Sequence, residues 1–168
     1  MRTSSRAVSV LVLLAVGASA CGGSSTPTTT APPNPATAQA SIAKTYNALF
    51  NFTNKSVQAK EALIQGGSAL TEGITDAQTS SLSSGIGGAQ VTSATLMTGA
   101  SCTTEKVSSP CAAVDYSITS TENTVLYAGQ KGYAVYVAGK WLMAKVTICN
   151  LLDLFWGAEG KKGSPPGC

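Results

Sequence analysis

The chain reads as an α+β protein, with two or three N-terminal helices packed on one face of a curved antiparallel sheet of four or five strands. Three observations predict it. Early in the chain, Ile42, Tyr46, Leu49 and Phe50 recur at helical spacing. From Ala89 onward the pattern becomes alternation, clean at Val114, Tyr116 and Ile118 and again at Tyr133, Val135 and Val137. The helical segments all precede the strands, an order that suits helices gathered on one face of an antiparallel meander.

Each element has a local cause. Asn34-Pro35 supplies a capping side chain followed by proline at the first helical position. Ser56 caps a second helix through Val57, Lys60, Glu61, Leu63 and Ile64, which ends at Gly66-Gly67. Ile74, Leu82 and Ile86 sit in a Ser/Thr/Gly-rich stretch suited to one more weak helix, capped by Thr75 or Asp76. Gly85-Ile86-Gly87-Gly88 reads as a flexible connector, without the spacing or the Lys-Ser/Thr of a phosphate loop. Val91, Ser93 and Thr95 begin the β region. Val125 to Ala128 forms a strand, Gly129 to Gly132 a turn, and Ala138-Gly139-Lys140 another turn. From Trp141 to Cys149, Leu142, Ala144, Val146 and Ile148 fill one face of a final strand, with Trp141, Met143, Lys145 and Thr147 on the other. The apolar run from Leu151 to Trp156 is expected to cap the open edge of the core. Its other reading is an exposed patch for a partner, formed by Phe155 and Trp156.

Before the domain lie two segments of different character. Arg2 and Arg6, an apolar run from Ala7 to Val16 and the small residues Ala18-Ser19-Ala20 make residues 1–20 a secretory signal. Cys21 follows directly, and the box Ala18-Ser19-Ala20-Cys21 resembles a bacterial lipobox with Ala18 in place of the usual leucine. That resemblance implies a thioether-linked diacylglycerol on Cys21, which becomes the mature N-terminus. The alternative is ordinary cleavage leaving a free thiol, a liability outside the cell. Residues 21–38 then form a linker whose Thr/Pro/Gly/Ser tract cannot bury enough surface to offset its ordering entropy. In extended polyproline form it spans roughly 50 Å, and it is a candidate for O-glycosylation. Residues 39–168 are left as a single domain.

Composition excludes more than it selects. The 11 Lys and Arg residues include Arg2 and Arg6, so the mature chain keeps nine cations against eight Asp and Glu. Such a balance creates no basic field for nucleic acid. The signal's apolar run is shorter than the roughly 20 residues a membrane span needs, so attachment comes from lipid. With Cys21 lipidated, four cysteines remain, and three connectivities are open. Spacing favours Cys102 with Cys111, pinning the polar loop between them, and Cys149 with Cys168, tying back the tail. There is no histidine and no CxxC, which argues against metal or redox chemistry and leaves no cofactor expected.

Absence of histidine also removes every Ser–His or Cys–His nucleophile. Of the eight carboxylates, Asp115 is the best candidate base, yet alternation puts it on the solvent side from Val114 and Tyr116, where a cross-strand partner such as Lys145 is expected. The aromatic residues Tyr116, Tyr127, Tyr133, Tyr136 and Trp141 all fall in the β region. They suit cross-strand packing, or else a pocket for an apolar tail, with Tyr116, Tyr127, Tyr136 and Trp141 as ligand contacts.

Four stretches are similar to the mycobacterial low-molecular-weight secreted antigen family. They are Thr45 to Phe50, Leu63 to Gly67, Ala113 to Ile118 and, most strongly, Gly139 to Cys149. This resemblance covers about residues 40–152 and implies export and fold but no chemistry. Helices before sheet also resemble the cone-shaped fold of nuclear transport factor, an analogy of fold alone. Together these readings give an actinobacterial lipoprotein held on the extracytoplasmic face of the cell membrane. It is expected to be non-catalytic, with an envelope protein or a lipid as partner. The alternative is a small enzyme using Asp115 with Tyr116 or Tyr127.

Overall fold

The computed structural model describes residues 34–168. The signal segment, Cys21 and the linker up to residue 33 lie outside the described residues. Helix α1 (Pro35–Phe50) begins where the Asn34 side chain accepts from the Thr37 backbone N–H at 3.0 Å, with proline in its first turn. Residues 35–38, assigned to the linker by composition, therefore belong to the domain, and Ala38 is fully buried. Helix α2 (Val57–Glu61) is capped by Ser56, and α3 (Thr71–Thr79) starts four residues before the expected Thr75. Helix α2 ends well short of Ile64 because the next residues are used elsewhere. Gln65 N–H donates to the Met143 carbonyl and Met143 N–H to the Leu63 carbonyl, both at 2.9 Å. Leu63 to Gln65 thus forms a short parallel bridge along the last strand, covering an edge that would otherwise be open.

Four antiparallel strands follow in the order β1 (Ile86–Leu96), β2 (Cys111–Ser120), β3 (Val125–Val137) and β4 (Lys140–Met143). Three expectations change here. The Gly85–Gly88 connector is instead the start of β1, whose Ile86 pairs with Ser120. Gly129 to Gly132 is no turn, because β3 runs through it and absorbs the extra residue as a bulge, with Gly129 at φ +67°. The strand expected over Trp141–Cys149 stops at Met143, and α5 (Lys145–Ala158) takes over. In α5 the residues Ile148, Leu152 and Phe155 share one buried face at helical spacing. A short helix, α4 (Gly99–Thr104), capped by the Thr98 side chain, also lies between β1 and β2 inside the region expected to be loop.

The sheet carries a core on each face. On the inner face α1 lays Ile42, Tyr46, Leu49 and Phe50 onto Ala89, Val114, Tyr116, Ile118 and Ala134, and α3 and α5 close this layer with Ile74, Leu152 and Phe155. The outer face has a smaller core of Cys102, Val107, Cys111, Val135 and Ala144, beneath α4. Disulfides bond Cys102 to Cys111 and Cys149 to Cys168, the pairs that spacing favours.

Candidate functional site

The aromatic residues expected to meet a ligand divide sharply by burial. Tyr116 is 4% exposed, with its ring 5.0 Å from Tyr46 and 5.6 Å from Phe50, so it is core and not a contact surface. Burial pushes its hydroxyl up to about 12. Phe155 is likewise buried, its ring tilted against Phe52 at 6.3 Å, and cannot form an exposed patch. Its neighbour Trp156 is half-buried, with the Lys161 ammonium 4.2 Å above its ring and its indole N–H donating to the Lys162 carbonyl. Tyr127 stands out at 52% exposure, beside exposed Val125 and Leu126 at the start of β3. Only Tyr136 and Trp141 come together: their rings lie 5.2 Å apart where β3 pairs with β4.

Near Phe50, Phe52, Leu152 and Phe155 the core leaves a cavity of about 20 Å³, room for a single water. The larger space lies outside, in a groove of about 600 Å³ between α1, the Leu63 bridge and β4. Leu63, Tyr136 and Trp141 line its floor, and Ser41, Lys44 and Lys140 its rim. Thr45 fixes this floor to α1, because its hydroxyl donates to the Trp141 carbonyl at 2.9 Å.

Asp115 is the one carboxylate that sequence singles out, and it faces outward as alternation requires. Its side chain is half exposed and lies in a row across three strands, with Ser93 on one side and Lys131 on the other. Ser93 Oγ donates to it at 2.7 Å and Lys131 Nζ at 3.0 Å. The Ser93 hydrogen bond, then the Lys131 cation, hold its carboxyl below the usual carboxylate range. Lys131, not Lys145, is thus the cross-strand partner. Tyr116 points to the other face, and the exposed Tyr127 makes no hydrogen bond with it, so the acid–tyrosine pair of an enzyme is not assembled.

Sequence reasoning passed over Lys60. Its ammonium is buried at 2% residue exposure, donates to the carbonyls of Leu49 (2.5 Å) and Asn51 (3.0 Å), and sits 4.6 Å from the Phe52 ring centre. Those carbonyls end α1, where unpaired acceptors and the helix dipole favour a cation. Burial, with Lys55 nearby, nevertheless pushes its pKa down to about 8. A lysine within a short polar helix gives no sequence signal of this role, which depends on where α1 stops.

No curated protein and no solved structure is significantly similar to the chain. Residues 34–159 match the family model described as low molecular weight antigen MTB12, C-terminal domain, three-quarters of the sequence and every strand of the sheet, and the chain belongs to that family.

Proposed function

We propose that this protein is a non-catalytic module of the cell envelope, tethered by an acylated Cys21 and binding an apolar ligand or an envelope protein through the groove between α1 and β4. Membership of an antigen family supports a secreted or envelope protein. No helix among the described residues is long and apolar enough to cross a membrane, and Cys21 follows a lipobox-like stretch. The carrying observation is the groove, where half-buried Leu63 and Tyr136 offer apolar surface beside the buried Trp141.

Two acyl chains on one residue suffice for stable anchoring, where a single chain gives only marginal membrane affinity. Metabolic labelling with a clickable fatty acid is expected to mark the wild-type protein and spare Cys21→Ala. The variant should move from the detergent phase to the aqueous phase on Triton X-114 partitioning. A wild-type protein left unlabelled defeats the tether.

A further inference from the structure

The groove between α1 and β4 has a chemical bias of its own, and reading it rests on the domain being a binding module but not on acylation of Cys21. Its rim carries Lys44 on α1 and Lys140 at the start of β4, and no carboxylate lines it. Neither lysine has a salt-bridge partner among the described residues, where the ion pairs join Lys131 to Asp115 and Lys161 to Asp76 and Glu159. Glu61, the acidic residue nearest the floor in sequence, is engaged by the Thr71 hydroxyl. In a domain close to neutral overall, this is a local excess of positive charge over an apolar floor.

A second observation comes from the floor itself. Trp141 is 3% exposed, and its indole Nε1–H is buried with no hydrogen-bond partner. Folded proteins rarely leave such a donor unpaired without a reason. The Trp141 ring is held by its packing within the inner-face core. Tyr136, half-buried with its ring 5.2 Å from Trp141 and tilted by 50°, is the neighbour of that indole that also lines the groove.

From these features we infer that the groove binds a single-chain anionic amphiphile. Its hydrocarbon chain lies on Leu63 and Tyr136 beside Trp141, its anionic head sits between Lys44 and Lys140, and one of its oxygens accepts from the Trp141 indole. About 600 Å³ falls within the range of roughly 300–1,000 Å³ typical of small-ligand sites. Cation and apolar surface side by side select for a ligand that has both.

The test is a titration of the full exported chain carrying Cys21→Ala, so that no acyl group of its own competes. Dodecyl phosphate is added below its micelle concentration and the indole region of the 1H–15N spectrum is followed. The chain has two tryptophans, so Trp156 serves as an internal control. Dodecyl maltoside supplies the same tail without charge, and inorganic phosphate the head without a tail. Saturable movement of the Trp141 signal with dodecyl phosphate is expected, with the Trp156 signal unmoved and each half-ligand binding at least about tenfold more weakly. Replacing both rim lysines, Lys44→Gln with Lys140→Gln, should cut dodecyl phosphate affinity about tenfold and leave maltoside binding unchanged. Equal affinity for dodecyl maltoside would overturn the anionic requirement, and equal affinity for phosphate alone would reduce the site to a plain anion patch. A Trp141 signal that never moves removes the groove as the site, while the fatty-acid labelling of Cys21 is decided separately.

Discussion

Lys60 shows how one side chain can serve the fold and still cost it stability. Its ammonium satisfies two carbonyls at the end of α1, but burial lowers its pKa to about 8 from an unperturbed 10.5. Below pH 8 both the folded and the unfolded chain carry the proton, and the desolvation penalty is present in full. Between pH 8 and 10.5 the folded chain has lost the proton while the unfolded chain keeps it, so stability rises with pH. The gain across that window is at most about 3 kcal/mol. Tyr46 and Tyr116 act in the opposite sense. Burial raises both hydroxyls, so above about pH 10 the unfolded chain ionises first and stability falls. Urea midpoints should therefore climb from pH 8 to about 10 and drop beyond. Lys60→Met removes the desolvation penalty and orphans two carbonyls, each worth about 1–3 kcal/mol, so its effect at neutral pH is a small difference, and it should abolish the climb while keeping the drop. A wild-type profile that is flat from pH 8 to 10 would show that Lys60 titrates normally.

Among the elements, β3 and α5 show what was legible in the sequence and what was not. Helix α1 could be read because its cap, its proline and its apolar spacing all agree. Strand β2 could be read because one face is buried and the other wet. The segment from Trp141 to Phe155 fits a period of two at its start and a helical period from Ile148 onward, and a short apolar run does not declare where one ends. In β3 the glycines mislead, since two glycines flanking a Gln-Lys pair look like turn chemistry. Gly132 is there for close approach instead: an added Cβ would lie 2.5 Å from Thr147 Cγ2 and 3.1 Å from the Tyr46 hydroxyl. That proximity lets the Tyr46 hydroxyl donate to the Tyr133 carbonyl and Thr147 accept from the Tyr133 N–H, at 3.0 and 2.8 Å. Gly132→Ala should lower stability by about 1–3 kcal/mol in denaturant unfolding. Gly157→Ala, inside α5 with nothing within 4 Å of the new methyl, should raise it by up to about 1 kcal/mol. Equal effects at the two sites would mean that Gly132 is conserving flexibility and not space. The groove was half legible: Tyr136 and Trp141 were marked by type, but Leu63 reaches it only through its bridge to β4, and Lys44 and Lys140 only because α1 packs along that strand.

At the scale of the whole molecule, each disulfide secures a different layer, and they differ in exposure. Cys102 and Cys111 are 0% and 1% exposed and form the centre of the outer-face core. The second bond joins half-buried Cys149 on α5 to exposed Cys168, closing the tail over the helical layer. The chain-entropy model gives the two loops similar values, each about 3 kcal/mol, so loop length does not distinguish them. Surroundings do. The tail is also held by its own contacts: Lys161 reaches Asp76 at 2.6 Å, Pro165 is buried, and Gly167 lies so close to Ala69 that a Cβ would meet its carbonyl oxygen at 1.9 Å. Attack by a small thiol needs access to sulfur, so mild dithiothreitol should open Cys149–Cys168 first. Alkylation and peptide mapping should then find label on Cys149 and Cys168 with Cys102–Cys111 intact. Hydrogen exchange should quicken in residues 159–168 and in α5 while β2 stays protected, because the outer-face core is untouched. The double variant Cys149→Ser with Cys168→Ser should keep the fold with a loss of no more than about 3 kcal/mol. If Cys102 and Cys111 are labelled first, burial is not what orders the two bonds, and the outer-face core opens more readily than its packing implies.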